Sequence, residues 1–257
     1  MASDLWRAAL AYVVATLVVF GFSVAFSNSS MYDPFWSVAP PALLVFWASE
    51  WGLSPRLWAV GTLVSVWGLR LTYNFFRGFR DLSHRDWRYE DLRAQHGRAF
   101  WLVSFFGIHF FPSALTFAGS VAIYVVASAP EGALGPLDAV AAAVTAIGIA
   151  YETVADEQLR AFVRSNPEKG RWLETGLWKH SRHPNYFGEV TFWFGLGLFA
   201  LSAAPEAWWA LGGAVAIAAL FLFVSIPLID ARMLARRPGY ATHMSRVSRL
   251  VPFFRSE

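Results

Sequence analysis

The chain has 257 residues, of which 56% are hydrophobic and 15% charged, with a formal charge of +3 and no cysteine. A soluble domain of this length carries about a quarter charged residues, so the shortfall points to a membrane protein. The missing cysteines exclude disulfides, thiolate metal sites and cysteine nucleophiles, and so small a net charge gives no case for nucleic-acid binding.

A spanning helix needs about 20 mostly apolar residues. Seven stretches meet or approach that length: 5–26, 34–49, 57–76, 100–127, 137–155, 186–202 and 208–229, with the second and sixth short. The first also admits a signal-peptide reading, although its uncharged run is long, Asp4 flanks it and SNSSMYD offers no clear small-residue cleavage site. The connections sort by charge. Segments 77–99, 156–185 and 231–257 hold six Lys and Arg residues each, eighteen of the twenty-one, whereas the opposite set holds only Arg56. Positive residues stay on the cytoplasmic side, so seven spans put the N-terminus outside and the C-terminus in the cytoplasm. The expectation is one all-α integral membrane domain over 1–257. It would sit as a monomer among membrane lipid, in the inner membrane if the source is bacterial. Segment 77–99 is expected to be partly helical, ending at Gly97.

Taken along the chain, polar residues mark several of these stretches. Asp33 is placed to cap the second, with Pro34 at its first turn, and Pro40 and Pro41 are expected to kink it. Arg70 and Asn74, four apart in the third, share a face that lipid would reject, with Tyr73 beside them. The fifth is expected to run on into DEQLRAFVR, which stacks Glu152, Asp156 and Arg160 at intervals of four. A carboxylate as deep as Glu152 faces a cavity or a partner. Gly195, Gly197 and Ala200 imitate a dinucleotide fingerprint, but inside an apolar helix they read as close-packing positions. His180 and His183 are three apart, but Pro184 breaks a helix through them and the other histidines are scattered, so no metal is expected.

The densest polar cluster is RHPNYFGE, residues 182–189, at the mouth of the sixth stretch. Asn185 falls where an N-cap belongs and Glu189 on the expected first turn, where the macrodipole favours an anion. Capping does not explain Arg182, His183 and Tyr186 alongside them. Donors and acceptors gathered at a helix start, near Arg160, Arg164 and Arg171, suit a phosphate-bearing ligand.

RHPNYFGE resembles the signature of the steroid 5-alpha-reductase family and of the related membrane sterol reductases. DPFWSVAP, WGLRLTYNFFRGF, DWRYEDLR and RMLARRPGY…SRVSRLVPFF are similar to its bacterial branch. The shorter H-P-x-Y core is shared with membrane methyltransferases, which typically lack the asparagine. The resemblance implies a seven-helix enzyme that uses NADPH from the cytoplasmic side to reduce the C=C bond of a conjugated ketone, typically a 3-oxo-Δ4 steroid. It implies that Asn185 and Glu189 hold the nicotinamide end, that Asp156 and Arg160 line the nucleotide, and that Arg171 lies near the phosphates. Glu152, Arg164, Arg182, His183, Tyr186 and Tyr240 complete the expected cofactor set, most of it in residues 137–257. The animal enzymes place histidine and tyrosine where this chain has Ile229 and Met233. On the substrate side, Asp33 corresponds to the family's glutamate and Trp67 to its tyrosine, so Tyr73, a turn and a half away, is the candidate phenol. Two other classes remain open: an S-adenosylmethionine-dependent lipid or prenyl methyltransferase, and a non-catalytic lipid-binding membrane protein.

Overall fold

The structure, a computed structural model, describes residues 2–79, 81–83 and 85–253; Arg80 and His84 of the first basic segment lie outside the described residues. All regular elements among the described residues are helical, apart from one isolated bridge between Ser181 and Ser248. In chain order they are α1 (Ala2–Ala25), α2 (Asp33–Trp51), α3 (Pro55–Gly78), α4 (Trp87–His96), α5 (Phe100–Val103), α6 (Phe111–Ser128), α7 (Pro136–Arg164), α8 (Pro184–Ala203), α9 (Leu211–Leu220), α10 (Ile226–Arg236) and α11 (Tyr240–Arg246). Wider π turns join α5 to α6 (Ser104–Phe110) and α9 to α10 (Phe221–Ser225).

Five helical stretches are long and apolar enough to cross a membrane: Ser3–Ala25, Trp87–Ser128, Pro136–Arg164, Pro184–Ala203 and Pro205–Arg236. The two remaining expected spans are helical as α2 and α3 but are less apolar, with three prolines in α2 and Arg56, Arg70, Asn74 and Arg77 on α3. Large apolar side chains such as Trp6, Leu10 and Phe223 face outward, at 75%, 67% and 75% exposure. An outer surface this apolar suits a lipid environment, and the chain is a multi-pass helical membrane protein.

Small residues set the closest helix contacts. A Cβ on Gly148 of α7 would lie 2.6 Å from the Phe192 nitrogen of α8, and one on Gly195 would lie 2.2 Å from Thr145 Oγ1. The glycines of FGLGLFA are therefore packing positions, as their place in an apolar helix suggested. Gly195→Val should destabilise the protein by about 1–3 kcal/mol through overpacking. Thermal unfolding in detergent checks this, with Gly212→Val, where a Cβ meets nothing, as the tolerant control.

α7 runs unbroken from Pro136 to Arg164, carrying its charged final turns past the apolar segment. The three basic segments meet at that end. Arg232 of α10 pairs with Asp91 of α4 at 3.0 Å and stacks over Trp87. Arg237 Nε donates to the Arg171 carbonyl at 2.9 Å, and Ser181 Oγ donates to the Leu250 carbonyl at 2.7 Å. The opposite end is held by the Arg56–Asp138 pair at 2.7 Å.

A two-chambered cavity as candidate functional site

A cavity of about 1060 Å³ opens between α2, α3, α4, α7, α8 and the two π turns, and a second of about 390 Å³ lies under the loop before α8. They adjoin, because Arg88, Leu159, Val163, Asn185, Tyr186 and Ile229 border both.

The polar floor of the larger chamber is built by i,i+4 stacking on α3 and α7. Arg70 bridges two α7 carboxylates, Glu152 at 2.5 Å and Asp156 at 2.8 Å. Asn74 Nδ2 donates to Asp156 at 3.1 Å. Arg160 lines the wall one turn further on, and its buried Nε makes no hydrogen bond among the described residues. Arg164 and Arg77 carry the positive wall toward the α7 terminus. The polar faces read on the third and fifth stretches thus meet one another.

α8 supplies the next wall, with two corrections to its expected start. Pro184 occupies the first turn and His183 the cap position, so Asn185 is inside the helix and does not cap it. Its side chain borders both chambers and reaches Asp156. Glu189 falls beyond the first turn, where the macrodipole has little effect. Three indoles hold it instead. Trp36 and Trp193 donate to one carboxylate oxygen, each at 2.9 Å, and Trp67 donates to the other at 2.8 Å. Glu189 is 3% exposed and still lines the chamber. Tyr186 stacks between His183 and Phe221, with ring centroids at 5.6 and 4.4 Å.

On the opposite wall Asp33 is the first residue of α2, after the Tyr32 cap, and its carboxylate accepts from the Tyr89 hydroxyl at 2.5 Å. Both line the chamber. Tyr73 does not. It is 63% exposed and faces outward against Arg77. The helical period explains this: Leu71, Asn74, Phe75 and Gly78 form the inward face of α3, and position 73 lies off it. The phenol that meets Asp33 in this chamber is Tyr89, whose place on a short helix in a polar loop gave no sign of it.

Arg182 and His183 line the smaller chamber, and both meet Asp230, which accepts from Arg182 Nη2 at 2.9 Å and faces His183 Nε2 at 3.3 Å. Arg182 also donates to the Met244 carbonyl at 2.8 Å, tying the tail to the chamber. Tyr240 lines it, and burial pushes its phenol up to about 12. Ile229 and Met233 both stand on chamber walls. Arg171 is corrected: its side chain is exposed and borders neither chamber, while Arg237 does border the smaller one. Asp230, like Tyr89, was missed by sequence reasoning, although an acid at the end of an apolar stretch was a usable signal.

The family described as "Protein of unknown function (DUF1295)" matches residues 19–247. The chain belongs to this family. Within it, all the chamber-lining elements from α2 to α11 fall inside the matched stretch. An uncharacterized protein of Schizosaccharomyces pombe is 26% identical over 261 residues, covering 91% of this chain and 76% of the relative. No solved structure matches the chain.

Proposed function

We propose that this DUF1295 member is a seven-span, NADPH-dependent reductase of lipophilic enones, with its three basic segments in the cytoplasm. One observation carries the reading: Asn185 and Glu189 of the reductase-like RHPNYFGE motif line the same chamber as the Asp33–Tyr89 pair. Groups suited to a cofactor and a pair suited to a ketone oxygen therefore share one chamber. Clustering of the basic segments at one end supports the orientation through the positive-inside tendency.

The residues fit an anionic dinucleotide. Arg160 has a buried Nε that makes no hydrogen bond among the described residues, with the Glu157 carboxylate 4.0 Å away, Arg77 and Arg164 line the same chamber, and the smaller chamber is walled by Trp87, Trp172, Trp178 and Tyr240. NADPH, when bound, supplies the hydride and so carries the hard chemistry. Asn185 and Glu189 would hold and orient its reactive end, the latter fixed in place by its three indoles. As the substrate's β-carbon is reduced, charge builds on the ketone oxygen, and an O–H donor must meet it there. The Tyr89 hydroxyl donates to the Asp33 carboxylate at 2.5 Å, and turning that O–H from the carboxylate to the ketone oxygen would supply the donor, with Asp33 beside it to hold the phenol in reach. Apolar walls from Leu71, Phe75, Phe221 and Ile108 keep water from competing.

The test is the nucleotide that stays with the protein purified in mild detergent. Bound NADP(H), with reduction of a 3-oxo-Δ4 steroid, is the expected result. Bound S-adenosylmethionine would replace the reading with a methyltransferase, and affinity for neither would leave a lipid-binding protein.

Cofactor preference gives a second check. Arg160 and Arg164 line the chamber and Arg171 does not. Guanidinium forks match a 2′-phosphate, and one such charge-assisted contact is worth about tenfold or more in affinity. Arg164→Glu should therefore narrow the NADPH-over-NADH preference by about that factor, whereas Arg171→Glu leaves it in place. An equal effect of the two variants on the ratio of nucleotide affinities would put the 2′-phosphate elsewhere.

A further inference from the structure

The larger chamber has two kinds of mouth. One is at the α7 terminus, where Arg77, Val163 and Arg164 lie among the basic segments. The other is in the apolar belt. Gly107, Val224 and Leu228 line the chamber and are also exposed, the last two at 53% and 42%. Their neighbours on the outer surface, Phe106, Phe110 and Phe223, are exposed at 55%, 41% and 75%.

The two helices that frame this second mouth touch above it. A Cβ on Gly213 of α9 would lie 2.3 Å from the Ala118 carbonyl of α6, so their backbones are in contact there. At Gly107 an added Cβ meets nothing within 4 Å. Between these levels each helix passes through its π turn, Ser104–Phe110 on one and Phe221–Ser225 on the other. A π turn inserts an extra residue and shifts the face a helix presents, and such turns gather at functional sites. Below, Arg232 closes the gap by pairing with Asp91 at 3.0 Å and stacking on Trp87 at 3.7 Å. The opening is thus bounded by a glycine contact above and an ionic strap below.

We infer that this gap is a lateral doorway through which a lipophilic ketone passes from the bilayer into the chamber, with Gly107 as its threshold. The inference deepens the proposed reductase reading and rests on it for the ketone. The doorway itself rests on the helix geometry. An apolar solute is concentrated in the bilayer, and a mouth walled by Phe, Val and Leu lets it move without crossing water. Water-soluble nucleotide would use the basic mouth, so the two ligands need not compete for one route. Gly107 has no side chain to fill the gap, so bulk placed there should obstruct it without straining the fold.

The chain has no cysteine, so a single engineered thiol reports one site. Gly107→Cys protein in phosphatidylcholine vesicles is labelled with a bulky lipophilic maleimide, with Phe223→Cys as the control. Phe223 lies on the same belt but does not line the chamber. The readout is quenching of tryptophan fluorescence by a membrane-partitioned 3-oxo-Δ4 steroid, with NADPH affinity measured separately. Labelling at position 107 should slow steroid arrival about tenfold or more, a barrier change of about 1.4 kcal/mol, with NADPH affinity unchanged and the position 223 label without effect. Unchanged steroid arrival after labelling at 107, equal slowing at 223, or no quenching in the unlabelled protein each overturn the doorway. Loss of the reductase reading has a different signature: absent NADPH binding in the unmodified protein.

Discussion

Tyr89→Phe should lower enone reduction about 100- to 1000-fold while leaving NADPH affinity unchanged, the usual cost of removing one donor to a developing oxyanion. The reason is geometric. The Tyr89 hydroxyl meets Asp33 at 2.5 Å inside the chamber, whereas Tyr73 faces out of it. Asp33→Asn should lower turnover in the same direction, because a neutral amide accepts from the phenol more weakly than a carboxylate and holds it less firmly in reach. Tyr73→Phe is the control and should be near normal. Single-turnover reduction with saturating NADPH separates chemistry from binding. A Tyr89→Phe enzyme with wild-type turnover would move the donor to Tyr32, the other phenol on this wall.

The second large effect is on folding. Glu189→Ala removes the acceptor of three indole N–H groups at once, from Trp36, Trp67 and Trp193. A buried donor left without a partner costs about 1–3 kcal/mol, and three of them approach the whole stability of many domains. We expect a sharply lowered melting temperature in detergent as well as lost nucleotide affinity. Glu189→Gln should be milder, since its carbonyl oxygen still accepts, although its amide nitrogen meets at least one indole head-on. Asn185→Ala is the cleaner probe of the cofactor role. Asn185 does not cap α8, so its loss should weaken NADPH binding while the fold survives. A Glu189→Ala protein that melts with the wild type would show the indoles to be satisfied without it.

The helices were legible because apolar length and charge placement act along the chain. The run of α7 past the apolar segment followed from the four-residue spacing of Glu152, Asp156 and Arg160. The partners of those residues were legible only in half: Arg70 and Asn74 stood out as misfits, but nothing in their spacing said that α3 faces α7. Tyr89 and Asp230 act across 56 and 48 residues of sequence respectively, a separation that periodicity cannot bridge. The start of α8 was misread because Asn185 has the right chemistry for a cap, while Pro184 suits the first turn and moves the boundary back. Arg171 was grouped with Arg160 by nearness in sequence, yet the chain leaves α7 between them, and although Trp172 beside it lines the smaller chamber, the Arg171 side chain is exposed and borders neither.

The clasp around Arg182 has a bearing on biosynthesis. Its guanidinium bonds the Met244 carbonyl, and Ser181 reaches Leu250, so residues some 60 to 70 positions downstream hold in place the α11 side chains, Tyr240 and His243, that line the smaller chamber. A ribosome makes about 5–20 residues per second, so several seconds separate the two sides of that wall. Every helix of the bundle has been synthesised before α11 appears. Whatever the smaller chamber holds is therefore captured only once α11 has been made, and a ribosome-stalled chain ending before residue 240 should insert into the membrane without it.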